Sequence, residues 1–276
     1  MFSTLGRTWG LTKQSFAVLC ADKEILLFPV MSAVAAILVT ITFLVPLYTA
    51  GAFQAVEGSR ANVATLLVLF LFYYANYFVI IFFNSALIAC ANIRLSGGDP
   101  TVADGLRIAS ERLGRIALWA LVASTVGLIL RMLEERAEKL GRLVVSLLGT
   151  AWTLVTYFII PVVVFEDLSI GDSIKRSAEL FRRNWGEQVV SGFSFGLLFF
   201  LLALPGLLLG FVALALHPLA GVAVFVIYIL GLAAVAAAVR GIFTVALYRY
   251  ATKGEVSGGF SPELVQGAFA PRASRW

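Results

Sequence analysis

Residues 189–239 read VVSGFSFGLLFFLLALPGLLLGFVALALHPLAGVAVFVIYILGLAAVAAAV, without a single Asp, Glu, Lys or Arg. An apolar helix of about 20 residues crosses the hydrocarbon core of a bilayer. This run is long enough to cross twice, as Val189–Leu216 and Leu219–Val239, with His217-Pro218 as a tight reversal on one membrane face. Pro205-Gly206 inside the first pass predicts a kink, because proline removes a ladder donor and clashes with the preceding turn.

The same texture recurs upstream in Leu26–Ala50, Val63–Ala91, Ile116–Leu133 and Leu143–Phe165. The fold class is therefore all-α: a polytopic transmembrane helix bundle of six spans, with residues 1–250 as one domain and 251–276 as a tail. Composition agrees. Of the 276 residues 60% are hydrophobic and 13% charged, with mean hydropathy +0.93. Soluble domains carry about 45–50% apolar and about 25% charged residues. One soluble core cannot bury the excess, so lipid is the solvent for much of it. A four-span arrangement would need some runs to be soluble-like core, which their uniform apolarity opposes.

Positive charge sets the expected sidedness. With the N-terminus inside, Arg7, Lys13, Lys23, Arg94, Arg107, Arg112, Arg115, Lys175, Arg176, Arg182, Arg183, Arg240, Arg249, Lys253, Arg272 and Arg275 fall on the cytosolic side. Arg60, Arg131, Arg136, Lys139 and Arg142 fall opposite. This bias predicts a multi-pass protein of the cytoplasmic (inner) membrane with both termini cytosolic. The outer basic residues alternate with Glu134, Glu135 and Glu138, which predicts a helical hairpin tip with Arg131/Glu135, Glu135/Lys139 and Glu138/Arg142 pairs. The formal charge of +5 fits anionic headgroups as the partner. No zinc finger or aromatic-basic RNA module is legible, so no nucleic acid is expected. Cys20 and Cys90 near cytosolic span ends should stay reduced. No removable signal peptide is read before Ala21.

Amphipathic elbows precede the spans. Thr101-x-x-Asp104 opens a segment with Val102, Leu106, Ala109, Leu113 and Ile116 on one face. Ser169-x-x-Asp172 opens another with Ile170, Ile174, Ser177, Phe181 and Trp185. A hydroxyl followed three residues later by an acid can satisfy orphan amide donors at a helix start. The acid also suits the positive end of the helix dipole. Leu5, Trp9, Thr12, Phe16 and Leu19 repeat the spacing more faintly. Elbow helices are thus expected at about 4–20, 101–115 and 169–185, in a pattern of elbow, span, turn and span. Arg107, Arg115, Lys175, Arg176, Arg182 and Arg183 are placed to contact lipid headgroups in the interfacial plane. The elbows could equally serve as levers or as docking surfaces for a protein partner.

Chemistry finds little purchase. Gly192-Phe193-Ser194-Phe195-Gly196 spells the G-x-S-x-G of serine hydrolases, which needs a strand-turn-helix context and a base beside the serine. Here the string starts an apolar helix, and the only histidine, His217, lies about 30 Å away along it at ~1.5 Å per residue. Gly192/Gly196 and Gly206/Gly210 instead read as G-x-x-x-G pairs for close helix packing in lipid. One histidine and two distant cysteines supply no metal set, and no phosphate loop occurs, so no cofactor is expected. No Asp, Glu, Lys or Arg falls centrally in a span, which opposes a carboxylate proton relay. The second span does carry Asn76, Asn84 and Ser85, and the fourth carries Thr150, Thr153 and Thr156. These are read as interhelical hydrogen-bond glue or as a weakly polar path.

Asp22-Lys23-Glu24-Ile25-Leu26-Leu27-Phe28-Pro29, with the elbows Asp104-Gly105-Leu106 and Asp172-Ser173-Ile174, resembles an uncharacterised family of six-span bacterial and archaeal membrane proteins. More distantly it is similar to the membrane domain that accompanies some glycerophosphodiester phosphodiesterases. The resemblance implies location and architecture, without catalytic residues. The expected role is a non-enzymatic scaffold or lipid- and partner-organising protein. The alternative is a channel or facilitator near spans two and four, as a homo-oligomer; an intramembrane hydrolase at Ser194 ranks last.

Overall fold

The computed structural model describes the backbone of residues 2–49, 63–185 and 190–254. It describes their side chains apart from 2–9, 11, 47, 49, 63–66, 139–140, 183–185, 190–198 and 216. The helices are α1 (Phe2–Ala21), α2 (Leu27–Thr49), α3 (Val63–Leu95), α4 (Val102–Glu111), α5 (Leu113–Arg136), α6 (Lys139–Val155), α7 (Ile159–Phe165), α8 (Ile170–Trp185), α9 (Val190–Leu216) and α10 (Pro218–Lys253). A 3-10 turn, Lys23–Leu26, joins α1 to α2. Five segments are long and apolar enough to cross a bilayer: Lys23–Pro46, Leu67–Leu95, Leu113–Arg136, Gly141–Phe165 and Pro218–Lys253. Phe199–Ala215 adds a shorter apolar stretch within α9. Large apolar side chains on these helices stand open, among them Leu38 at 59%, Phe211 at 70% and Ile227 at 71% exposure. Water would penalise that surface and hydrocarbon does not. The chain is a multi-pass helical membrane protein.

Its residues group into two compact units. One comprises Met1–Pro29, Cys90–Val102 and Leu180–Trp276; the other comprises Val30–Ala89 and Ala103–Glu179. In the first, α9 and α10 form an antiparallel hairpin turned at His217, whose N–H donates to the Ala213 carbonyl at 2.9 Å. Helix α1 packs on both arms of this hairpin. In the second, α5 and α6 form a hairpin, with Trp119 stacked on Trp152 at 5.8 Å between ring centroids.

Four departures from the sequence reading have physical causes. The fourth span is not one helix: it breaks at Thr156-Tyr157-Phe158, between α6 and α7. Pro161 lies just beyond, and its missing N–H and ring clash exclude a regular ladder across the break. The sixth span does not stop at Val239: α10 continues to Lys253 and ends at Gly254, whose φ of 69° closes the helix in the left-handed conformation. The second elbow ends early, since Arg112 (φ −104°, ψ 12°) leaves helical geometry and caps α5. Leu113–Arg115 therefore belong to the following span. At the tip, Arg131 pairs with Glu135 at 3.0 Å as expected. Ala137, extended at φ −82° and ψ 134°, then ends α5. This removes the helical spacing on which the Glu135/Lys139 pair depended. Glu138 stands at the N-cap of α6, where the Arg142 N–H bonds its carbonyl at 2.8 Å.

Candidate functional site at the elbow joints

Glu166-Asp167, between α7 and α8, is clasped by two arginines of the α4–α5 joint. Arg112 Nη1 donates to Asp167 Oδ1 at 2.8 Å, and Arg115 reaches the same carboxylate oxygen. Arg115 Nη1 also donates to the Glu166 backbone carbonyl at 2.8 Å. The Glu166 side chain receives Arg176 Nε at 3.1 Å, and Arg176 lies 3.9 Å from Glu179. The hydrogen bond from Arg112, and then that from Arg115, holds the Asp167 carboxyl below the ordinary carboxylate range. Single exposed ion pairs contribute little, but two guanidinium forks on one joint fix its geometry.

Downstream, Ser169 Oγ accepts the Asp172 N–H at 3.2 Å and donates to Asp172 Oδ2 at 2.7 Å. Ser169 and Lys175 keep the Asp172 carboxyl low, with the serine hydrogen bond the larger cause. The hydroxyl-to-acid spacing thus builds a helix cap here.

The other unit has a joint of the same kind. Glu24 Oε2 accepts the N–H of Val102, the first residue of α4, at 3.0 Å. A carboxylate at this position satisfies an orphan donor and the helix dipole together. Arg94 donates to the Ala21 carbonyl at 3.3 Å and pairs with Asp99 at 2.9 Å. Arg249 bonds Asn92 Oδ1 at 3.1 Å and also reaches Ser96 Oγ. Asp22 is 6% exposed. Burial pushes its carboxyl up from the ordinary value, against the opposing pull of Arg94.

Of the cations assigned to lipid, Arg115 and Arg176 are thus engaged within the protein. Arg107 is 61% exposed and bonds Glu111 at 2.9 Å, Lys175 is 79% exposed, and Arg182 is exposed. The side chain of Arg183 lies outside the described residues.

Asn76 Nδ2 donates to the Phe72 carbonyl at 3.0 Å, Ser85 Oγ to Ile81 at 2.8 Å, and Thr153 Oγ1 to Gly149 at 2.9 Å. Thr150 and Thr156 do the same to Ser146 and Trp152. Each of these groups thus donates to its own helix four residues back. Asn84 is half-buried on α3.

The hairpin of α9 and α10 uses its glycines. A Cβ at Gly206 would come within 1.9 Å of the Tyr228 ring, one at Gly210 within 2.8 Å of Phe225, and one at Gly221 within 2.4 Å of the Leu214 backbone. Tyr228 then donates its hydroxyl to the Leu202 carbonyl at 2.7 Å, in the turn before Pro205. The α-helical assignment runs through Pro205. The surroundings of Gly192, Gly196 and the Ser194 side chain lie outside the described residues. Helix α9 does keep Ser194 near its start and His217 past its end.

Sequence reasoning missed Glu24, Arg112, Glu166 and Asp167, whose partners are remote in the chain. It also passed over the role of small elbow residues. Thr12, Ala109 and Ser177 occupy corresponding places in the three stripes, and all are buried. Ser177 Oγ accepts the Phe158 N–H at 3.0 Å.

No curated protein and no solved structure matches this chain. A family model described as a family of unknown function (DUF6159) matches residues 63–259. That span runs from the start of α3 past the end of α10, so it takes in the elbows α4 and α8 and the Arg112–Asp167 joint. With well over half its length matched, this membrane protein belongs to that family of unknown function.

Proposed function

We propose that the protein is a non-enzymatic scaffold of the cytoplasmic membrane, with both termini cytosolic, that organises anionic lipid at its elbow helices. One observation carries this reading: the elbow cations divide into two sets. Arg112, Arg115 and Arg176 tie the joint around Glu166-Asp167. Arg107 and Lys175 pair only with carboxylates of their own helices, Glu111 and Asp172, and remain 61% and 79% exposed. A clasped joint presenting exposed cations offers a headgroup plane guanidinium and ammonium groups in fixed positions. The alternative, a channel or facilitator near spans two and four, would draw on Asn76, Ser85 and Thr153, each of which donates to its own helix.

The test is lateral demixing in vesicles of mixed neutral and self-quenching anionic lipid. The wild-type protein should deepen quenching, and the double variant Arg107→Glu, Lys175→Glu should abolish that effect. Equal quenching by both would remove the scaffold reading. Ion flux in the same vesicles, lost in Asn84→Leu, would install the facilitator instead.

A further inference from the structure

The first unit contains a groove of about 630 Å³ among α1, α9 and α10. This lies within the ~300–1,000 Å³ range of small-molecule sites. Its floor on α10 is a single ridge, Ile227, Gly231 and Val239 at multiples of four residues. Phe199 of α9 and Phe16 of α1 form the walls, and Lys13 of α1 is also in the lining. Gly231 makes the floor low: a Cβ built there meets nothing within 4 Å. This glycine differs from Gly206 and Gly210, which are filled by the partner helix; at Gly231 the space is left open.

From Ile227 to Val239 the ridge runs about 18 Å at ~1.5 Å per residue. Half of a hydrocarbon core is about 15 Å, so the groove matches the depth of one leaflet. Its lining is apolar save for Thr12, the tyrosine hydroxyl already bonded to Leu202, and Lys13. A free apolar solute would make no use of the exposed Lys13 beside the groove. A zwitterionic lipid offsets its phosphate with its own cation, whereas an acyl chain carried by a net-anionic headgroup matches both the apolar lining and Lys13.

We infer that this groove is a binding site for one acyl chain of an anionic phospholipid, with Lys13 contacting the headgroup. The inference deepens the lipid-organising reading but rests on residues apart from Arg107 and Lys175.

Protein reconstituted in vesicles of equimolar phosphatidylglycerol and phosphatidylcholine is extracted in mild detergent, and the retained lipid is weighed by native mass spectrometry. Wild type should retain one phosphatidylglycerol in preference to phosphatidylcholine. Gly231→Phe should lower retention several-fold by filling the floor, while Gly231→Ala keeps it. Lys13→Gln should keep a lipid and lose the preference. Should Gly231→Phe not fold, Ile227→Trp, at a position 71% exposed, fills the same space from the surface. Undiminished retention in a folded floor variant, or no headgroup preference in wild type, overturns the inference in favour of ordinary annular lipid. Normal retention in Arg107→Glu, Lys175→Glu would separate this site from the elbow face.

Discussion

The Phe158 N–H points at Ser177 Oγ, 3.0 Å away, across the break between α6 and α7. Ser177 is fully buried, so its hydroxyl is the partner that makes the break tolerable in the protein interior. An elbow residue thereby completes the hydrogen bonding of the span before it. Ser177→Ala should leave that amide unpaired, at a cost of about 1–3 kcal/mol. Thermal unfolding in detergent should shift down, and Ser177→Thr should recover part of the loss. An unchanged midpoint for the alanine variant would mean that water reaches the amide.

This contact also explains what the sequence could and could not say. Span identity was plain, since apolar runs near the length of a bilayer have few other readings. The break in span four was also signalled by Pro161, but the uniform apolarity of Leu143–Phe165 concealed it. Elbow positions followed from the cap spacing, and Ser169-Asp172 forms as that spacing requires. The joint was not legible, because Arg112 and Asp167 lie 55 residues apart and no periodicity links them. For the same reason Glu24 gave no sign that it would cap a helix 78 residues on.

Gly206→Ala should be destabilising despite the helix propensity of alanine. The new methyl would overlap the Tyr228 ring, which its hydroxyl bond to Leu202 holds in place. Overpacking of this kind costs about 1–3 kcal/mol. Combining it with Tyr228→Phe should relieve part of the cost, since the ring could then move. Unfolding midpoints of the two single variants and the double variant measure the coupling.

Two carboxylates should show opposite pH dependence. Asp167 is depressed in the folded protein, so its contribution is present above the ordinary value of about 3.9 and is lost as pH falls through the lowered one. Asp167→Asn should therefore lower the midpoint at neutral pH and converge with wild type in acid. Asp22 is raised, so its contribution is complete below the ordinary value and is lost as pH rises through the raised one. Asp22→Asn should raise the neutral midpoint and have no effect near pH 3. Parallel shifts at all pH values would show that neither effect is a titration.

Cysteine labelling reports on sidedness. Cys20 is exposed and Cys90 buried, with the Cys90 thiol 3.3 Å from the Thr101 carbonyl. A membrane-impermeant maleimide should add once, at Cys20, and only in inverted vesicles. Labelling of intact cells would reverse the proposed orientation.

Helix α10 spans Pro218–Lys253 without interruption. At ~1.5 Å per residue it is a strut of about 54 Å, against a hydrocarbon core of about 30 Å. The strut cannot shorten, so it must meet mismatch by tilting. A tilt of about 10° carries the end of such a strut sideways by roughly 9 Å. Bilayer thickness is thereby converted into lateral displacement at the Arg249 end, where Asn92 and Ser96 are attached.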